Sequence, residues 1–123
     1  KATYSENIIN NEILHYIKEH CDEKLTIEMF SAKGHYNPSY FSRSFKKYTG
    51  VTFTEYLKQA RMSRACELIL NTKNKIDDIY TKVGYTDKTK FFKHFKEYTN
   101  TTPLKYRKSQ NQILFDVIKH PFI

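Results

Sequence analysis

The stretch NPSYFSRSFKKYTGVT, residues 37–52, is matched fifty positions further on by DKTKFFKHFKEYTNTT, residues 87–102. The two stretches align without an insertion, and Phe41, Phe45 and Lys46 fall on identical residues in the second stretch. A match at a fixed period indicates two copies of one structural unit. The fold is therefore decided by what a single copy forms.

The segment ahead of each stretch predicts a short helix that ends in a tight turn. In the first copy Thr26 caps this helix, and Gly34 ends it by adopting a left-handed conformation. Gly84 has the same position as Gly34 in the second copy. The apolar residues expected on these helices are Ile27, Met29 and Phe30 in the first copy, and Ile76, Ile79 and Val83 in the second.

The quoted stretches predict the second helix of each copy. Asn37 and Asp87 can cap these helices, and Pro38 is accepted at a first helical position because its missing N–H costs nothing there. An apolar face follows at i, i+4 and i+7, formed by Phe41, Phe45 and Tyr48 and by Phe91, Phe95 and Tyr98. Each copy is thus a helix-turn-helix, which we place at residues 25–50 and at residues 75–100.

A longer helix is predicted between the two copies. Thr52-Phe-Thr-Glu55 has the pattern of a capping box and opens a linker helix at residues 52–71. An amphipathic helix containing Ile9, Ile13, Leu14 and Ile17 precedes the first copy, and a last helix with a tail occupies residues 102–123. No segment has a strand pattern. We therefore predict an all-α fold of about seven helices, with two helix-turn-helix subdomains joined by a long linker helix.

Positive charge is concentrated in the duplicated part of the chain. Residues 1–32 contain 3 Lys/Arg and 6 Asp/Glu, whereas residues 33–108 contain 17 Lys/Arg and 6 Asp/Glu. A basic segment of this kind favours a polyanionic partner. Two cysteines, no signal peptide and no apolar run of about 18 residues favour a cytoplasmic protein without membrane contact.

Enzymatic chemistry finds little support in the sequence. Asp77 and Asp78 are neighbours, which do not face one another on a helix and are better explained by a helix N-terminus. The five His residues share no metal-ligand spacing with Cys21 and Cys66. No Gly-rich phosphate loop or nucleophile elbow is present. We expect no catalytic residues, no metal and no cofactor.

The outward face of each second helix predicts contact with duplex DNA, because a helix-turn-helix offers that helix to the major groove. The outward residues are Ser39, Ser42, Arg43 and Lys46 in the first unit, and Thr89, Phe92, Lys93 and Lys96, flanked by Lys88 and Lys90, in the second. Arg and Lys can donate to guanine, hydroxyls serve several base edges, and Phe92 can press on a thymine methyl, although it could equally be core. A helical RNA- or protein-binding module is the alternative.

Together these motifs resemble the DNA-binding domain of AraC/XylS-type transcription regulators, over roughly residues 8–107 of a domain we place at 1–123. The resemblance rests on SYFSRSFKKYTG at residues 39–50, on the linker-helix residues Arg61, Ala65, Leu68 and Leu70, and on Ile79, Val83–Asp87, Phe91–Lys96 and Pro103–Arg107. It implies a bilobal domain that binds as a monomer to two successive major-groove segments.

The resemblance also implies roles for individual residues. It assigns base-facing positions to Ser39, Ser42, Arg43, Lys88, Thr89, Lys90 and Lys93, and positions near phosphates to Lys46 and Lys96. Phe30 and Tyr80 stand where the family usually has Ala, and Lys90 and Phe92 replace small or polar residues. Arg61 is expected to be structural, as an ion-pair partner of the second lobe, with a phosphate contact as the alternative.

The expected partner is double-stranded DNA, and the expected function is that of a transcription regulator, with activation and contact to RNA polymerase as further expectations. Because the chain begins with Lys1 rather than Met, we expect an N-terminal sensing, receiver or dimerisation domain in a longer protein. A response regulator, an effector-sensing regulator and a stand-alone regulator remain open. The tail at 110–123 can extend the last helix, dock on the domain or contact a partner.

Overall fold

The structure, a computed structural model, describes residues 8–119 and the side chains of residues 8–111. Seven helices and no strand lie within these residues, which confirms the predicted all-α fold. The helices are α1 (Asn11–Glu19), α2 (Ile27–Lys33), α3 (Pro38–Thr49), α4 (Phe53–Asn71), α5 (Ile76–Lys82), α6 (Lys88–Thr99) and α7 (Pro103–Lys119).

The chain forms two compact units, Lys1–Arg61 and Met62–Ile123. The first contains α1 and the helix-turn-helix α2–α3, and the second contains the helix-turn-helix α5–α6 and α7. The boundary falls within α4, so the linker helix contributes its first half to one unit and its second half to the other. In the tail, α7 continues to Lys119, and residues 120–123 lie outside the described residues.

The core of the first unit is built on two phenylalanines of α3. Phe41 and Phe45 are fully buried and pack with Ile17 and Leu25. The Phe45 ring lies 5.5 Å from the Phe53 ring and 5.4 Å from the Tyr56 ring. Both pairs are edge to face, an arrangement that aromatic pairs prefer. These contacts join α3 to the start of α4. Ile9 belongs to this core but precedes α1.

The second unit repeats this arrangement with Phe91 and Phe95 of α6. Both are fully buried and belong to a cluster that includes Ile69, Ile79 and Val83. The Phe95 ring lies 5.5 Å from the Tyr106 ring of α7, edge to face, as the Phe45 ring does with Tyr56. The half-buried thiol of Cys66 also packs against this core. Burial raises the pKa of this thiol, and a hydrogen bond with Tyr106 offsets only part of the rise.

Side-chain caps fix where the helices of the two units begin. The Asn37 carboxamide oxygen accepts from Ser39 N at 2.8 Å, and the Asp87 carboxylate accepts from Lys90 N at 3.2 Å. The Thr26 hydroxyl accepts from Met29 N at 3.2 Å and the Thr52 hydroxyl from Glu55 N at 3.1 Å. Each cap satisfies an N–H that has no partner within its helix, which contributes about 1 kcal/mol.

The turn of the first unit differs from the prediction. Gly34 has φ −93°, so the expectation that it adopts the left-handed conformation was wrong; the following residue, His35, has φ +61°. In the second unit Gly84 itself has φ +95°. The reason is that α2 extends one residue further towards its glycine than α5 does. A Cβ at Gly34 would lie 2.5 Å from the Tyr36 ring, so a larger residue there would require the partly exposed Tyr36 side chain to move.

The first helices of the two units are therefore related by 49 residues rather than fifty. Tyr36 N donates to Ser31 O at 2.7 Å, and the matching bond in the second unit runs from Tyr85 N to Tyr80 O at 3.0 Å. Ser31, which is 1% exposed, is thus the counterpart of Tyr80. In the first unit, Ser31 occupies the position that Tyr80 has in the second unit, so the expectation that placed Phe30 there was wrong.

Three residues assigned to apolar faces are exposed. Met29 is 48% exposed. By the 49-residue relation, the counterpart of the buried Ile79 is Phe30 and not Met29. Tyr48 and Tyr98, at the ends of α3 and α6, are 46% and 48% exposed. The buried faces of α3 and α6 are therefore narrower than the i, i+4, i+7 pattern predicts.

Two arginines donate to backbone carbonyl oxygens at or just after the C-terminal ends of α1 and α4. Arg61 donates from Nε to the carbonyl oxygen of Cys21 at 2.6 Å and from Nη2 to that of Glu23 at 2.9 Å. Arg107 donates in the same way to the carbonyl oxygens of Ile69, at 2.9 Å, and Thr72, at 3.3 Å. The planar guanidinium suits such paired acceptors. The structural role expected of Arg61 fits these bonds, and its ion pair with the other lobe stays a prediction.

Candidate nucleic-acid interface

The outward face of α3 carries the residues that the sequence singled out in the first unit. Ser39, Arg43 and Lys46 are exposed and Ser42 is half-buried, whereas Phe41 and Phe45 on the opposite face are fully buried. The spacing of these four residues places them along one side of the helix. They therefore form a polar, basic strip on a helix whose other side is fixed in the core.

The outward face of α6 carries six exposed residues: Lys88, Thr89, Lys90, Phe92, Lys93 and Lys96. Phe92 is 37% exposed, so the alternative that it belongs to the core does not hold. Its ring contacts that of Phe91, with centroids 5.9 Å apart. This helix thus presents four lysines together with one partly exposed aromatic ring.

The two helix faces are strongly positive. Helix α3 contains Arg43, Lys46 and Lys47 and no acidic residue, and the single acidic residue of α6 is Glu97. Each helix also presents the positive end of its dipole at its first turn, next to Ser39 or Thr89. Exposed cations on a helix of this kind attract a polyanion.

Lys88 has a partner that the sequence did not indicate. Its Nζ lies 2.6 Å from the Asp77 carboxylate oxygen and 5.6 Å from the centre of the Phe92 ring. The hydrogen bond with Asp77 raises the pKa of the Lys88 ammonium. Asp77 lies in the first turn of α5, as expected from its sequence, but it also contacts the helix face across the turn.

His94 is a further titratable residue of α6. His94 is half-buried, and its Nδ1 lies 2.6 Å from the Tyr85 hydroxyl, which fits a packing role. The described side chains contain no group of three His, Cys, Asp or Glu residues that could hold a metal ion. None of the described helices has the length and apolar character needed to cross a membrane.

Family membership follows from residues 30–109, which match a family model described as a helix-turn-helix domain. This range covers more than half of the chain and includes both α3 and α6. The family and the fold thus point to a DNA-binding domain of the kind found in transcription regulators. The chain belongs to the AraC-type helix-turn-helix family, as its sequence motifs indicate.

Similar proteins agree with this family. The chain is 38% identical over 97 residues to YisR of Bacillus subtilis (strain 168), described as an HTH-type transcriptional regulator, with 79% of this chain and 34% of YisR covered. It is 36% identical over 95 residues to AdaA of the same organism, described as a bifunctional transcriptional activator and DNA repair enzyme, with 77% of this chain and 45% of AdaA covered.

A solved structure gives the same answer for the fold. The C-terminal domain of AraT, a response regulator from Geobacillus stearothermophilus, is 32% identical and superposes with a TM-score of 0.75, covering 80% of this chain and 83% of that one. The chain spans less than half the length of the two Bacillus proteins.

Proposed function

We propose that this chain reads double-stranded DNA by inserting α3 and α6 into two successive major-groove segments as a monomer, with residues 25–50 and 75–100 as the two reading units. The observation that carries the proposal is the duplication itself. Each unit has a capped helix with two buried phenylalanines on one side and an exposed basic strip on the other. This is the form in which a helix-turn-helix offers a recognition helix to DNA.

The exposed residues divide into two proposed roles. Base edges are read by Ser39, Ser42 and Arg43 in the first unit and by Lys88, Thr89, Lys90, Phe92 and Lys93 in the second. Lys46 and Lys96, one turn further along each helix, contact phosphates. Arginine and lysine side chains donate to guanine O6 and N7, and an apolar ring can contact a thymine methyl. Membership of a DNA-binding family favours duplex DNA over RNA or a protein as the partner.

We further propose that the chain is the DNA-binding output of a longer transcriptional activator in the bacterial cytoplasm. The similarity to the C-terminal domain of a response regulator supports a receiver domain at the other end, although a sensing or dimerisation domain would be joined in the same way. Such a protein would contact RNA polymerase as well as DNA. The full-length gene would identify the joined domain.

Removing Arg43 tests the base-reading role. Arg43→Ala is expected to lower affinity for the preferred duplex by about 1–3 kcal/mol and to relax the choice of base at one position. Lys96→Ala is expected to weaken binding to all sequences about equally and to reduce the salt slope by about one. Both are measured by titrating duplexes selected from a random pool, and variants of them, at several salt concentrations.

Lys24→Ala serves as the control, since Lys24 is an exposed cation of the first unit that lies outside α3. It should change affinity less than Arg43→Ala does and leave base preference unaltered. If Arg43→Ala weakened every sequence equally, Arg43 would be a phosphate contact rather than a base contact.

The spacing between the two sequence elements of the DNA site tests whether both units of one chain bind together. B-DNA presents the same face about every 34 Å, so two elements read from one face lie about one turn apart. The site is expected to be asymmetric, because the two strips differ in chemistry. An insertion of roughly five base pairs, half a turn, turns the second element to the opposite face, and affinity should fall towards that of one unit.

The same insertion placed outside the two elements is the control, and it should leave affinity unchanged. Footprinting and titration of both duplexes measure the effect. A palindromic footprint, or equal affinity for the inserted and control duplexes, would contradict two-unit binding by a single chain.

A further inference from the structure

We propose that Asp77 is a specificity-determining residue of the second unit. Asp77 holds the Lys88 ammonium over Phe92, so that the ammonium donates to a base edge rather than to phosphates of the DNA backbone. This inference rests on the proposed function, since it concerns how α6 chooses its DNA sequence. Asp77 itself lies on α5, outside the helix proposed to enter the groove.

Two contacts define the position of the Lys88 ammonium. Its Nζ lies 2.6 Å from Asp77 Oδ1 and 5.6 Å from the centre of the Phe92 ring. Phe92 follows Lys88 by four residues, so the two side chains share one side of α6. The pair is on the surface, with the side chains of Lys88 and Asp77 49% and 66% exposed, and it stays accessible to DNA.

A lysine at the first position of α6 needs a partner outside that helix to restrict its side chain to one position. Lys88 is the first residue of α6, where the positive end of the helix dipole disfavours a cation. A lysine side chain also has four rotatable bonds and would otherwise sample many positions. The Asp77 carboxylate opposes the dipole and restricts the side chain, and the ring of Phe92 adds a favourable surface for the ammonium.

The first unit has no counterpart of this arrangement. By the 49-residue relation of the first helices, Asp77 corresponds to Glu28. By the fifty-residue relation of the second helices, Lys88 corresponds to Pro38 and Phe92 to Ser42. Pro38 carries no charge that Glu28 could hold. The arrangement is therefore a property of the second unit alone, and it gives that unit a preference that the first lacks.

The geometry also indicates which bases are read. An ammonium suits the O6 and N7 acceptors of guanine, and a phenyl ring suits the methyl group of thymine. The ammonium and the ring centre are 5.6 Å apart, which lies between one and two base-pair steps of about 3.4 Å each. The second element is thus expected to contain a guanine within one or two base pairs of a thymine. Asp77 favours this arrangement and, being negative, disfavours the approach of a phosphate.

The test compares Asp77→Asn with Asp78→Asn, which makes the same charge change at the next residue. Asp78 is exposed on the same helix. Each variant of the 123-residue chain is titrated with the duplex that the unchanged chain selects from a random pool, and with a random-sequence duplex of equal length. Asp77→Asn is expected to bind the random duplex about tenfold more tightly at about 50 mM salt, with a salt slope steeper by about 0.9.

Binding of Asp77→Asn to the selected duplex should change by less than about threefold, because the lost positioning offsets the lost repulsion of phosphates. Its discrimination between the two duplexes therefore falls, and its own selection from the pool no longer enriches the guanine. Asp78→Asn should keep the discrimination. In a Lys88→Met background, Asp77→Asn should behave like Asp78→Asn, because no ammonium remains to be released.

The outcomes separate this inference from the proposed function. If the unchanged chain does not prefer the selected duplex over the random one, the proposed function fails. If it does, but Asp77→Asn and Asp78→Asn behave alike, the role of Asp77 is overturned while the function stands. Circular dichroism establishes that each variant is folded, and Lys88→Met tests the pair from its other side if Asp77→Asn does not fold.

Discussion

Raising the salt concentration from about 50 to about 200 mM is expected to weaken binding of this chain to duplex DNA by about 10³-fold to 10⁵-fold. The reason is that each phosphate neutralised by a cation releases counterions, and a protein with about six to ten phosphate contacts accumulates a steep slope. The exposed cations of α3 and α6 are Arg43, Lys46, Lys47, Lys88, Lys90, Lys93 and Lys96. Lys46 and Lys96 are two of the expected phosphate contacts, and we expect the others from further cations of the basic segment, residues 33–108.

Fluorescence anisotropy with a labelled duplex, at four or more salt concentrations, measures this slope directly. The selected and random duplexes should both show it, because the phosphate backbone is common to them. A nearly flat response would mean that the positive strips of α3 and α6 do not face DNA. The unlabelled duplex as competitor controls for contacts made by the dye.

Replacing Phe95 by alanine is expected to lower the free energy of unfolding by about 3–5 kcal/mol. Phe95 is fully buried and its ring contacts those of Phe91 and Tyr106, so the smaller side chain leaves a cavity that the surrounding helices fill only in part. Urea denaturation followed by circular dichroism measures the change. The loss should come without a direct effect on base preference, because Phe95 faces away from the proposed DNA surface.

Phe92→Ala is the matched comparison on the same helix. Since Phe92 is partly exposed, its removal should change the free energy of unfolding by about 1 kcal/mol or less, but should alter base preference in the second element. An equal loss of stability in the two variants would show that Phe92 is a core residue. An unaltered base preference in Phe92→Ala would remove it from the proposed reading face.

The fold was predictable because local signals and the repeat agree. Asn37 and Asp87 cap helices at equivalent positions, and the paired phenylalanines recur four residues apart in both copies. The error in the turn arose where the two copies share a glycine but not a conformation. Gly34 and Gly84 align in sequence, yet α2 ends at Lys33, directly before its glycine, whereas α5 ends at Lys82, two residues before Gly84. The sequence does not show this one-residue difference.

The candidate interface was predictable as a set of exposed positions, since a helix with one buried face must present the other. Its internal contacts were not. The ion pair between Lys88 and Asp77 joins residues eleven positions apart across a turn, and the sequence offers no spacing rule for it. The same holds for Arg107, whose bonds to Ile69 and Thr72 join residues more than thirty positions apart. Such contacts depend on how the helices pack.

The setting of the two sulfur atoms has a practical consequence for following this protein in solution. Cys21 is fully buried, and burial raises the pKa of the Cys66 thiol, so little thiolate forms at neutral pH. The thiolate is the nucleophile that attacks alkylating reagents and oxidants, so these reagents should react slowly with the folded chain. A cysteine introduced on an exposed helix face would react first. A fluorophore can thus be attached at one chosen point while both native sulfurs are kept.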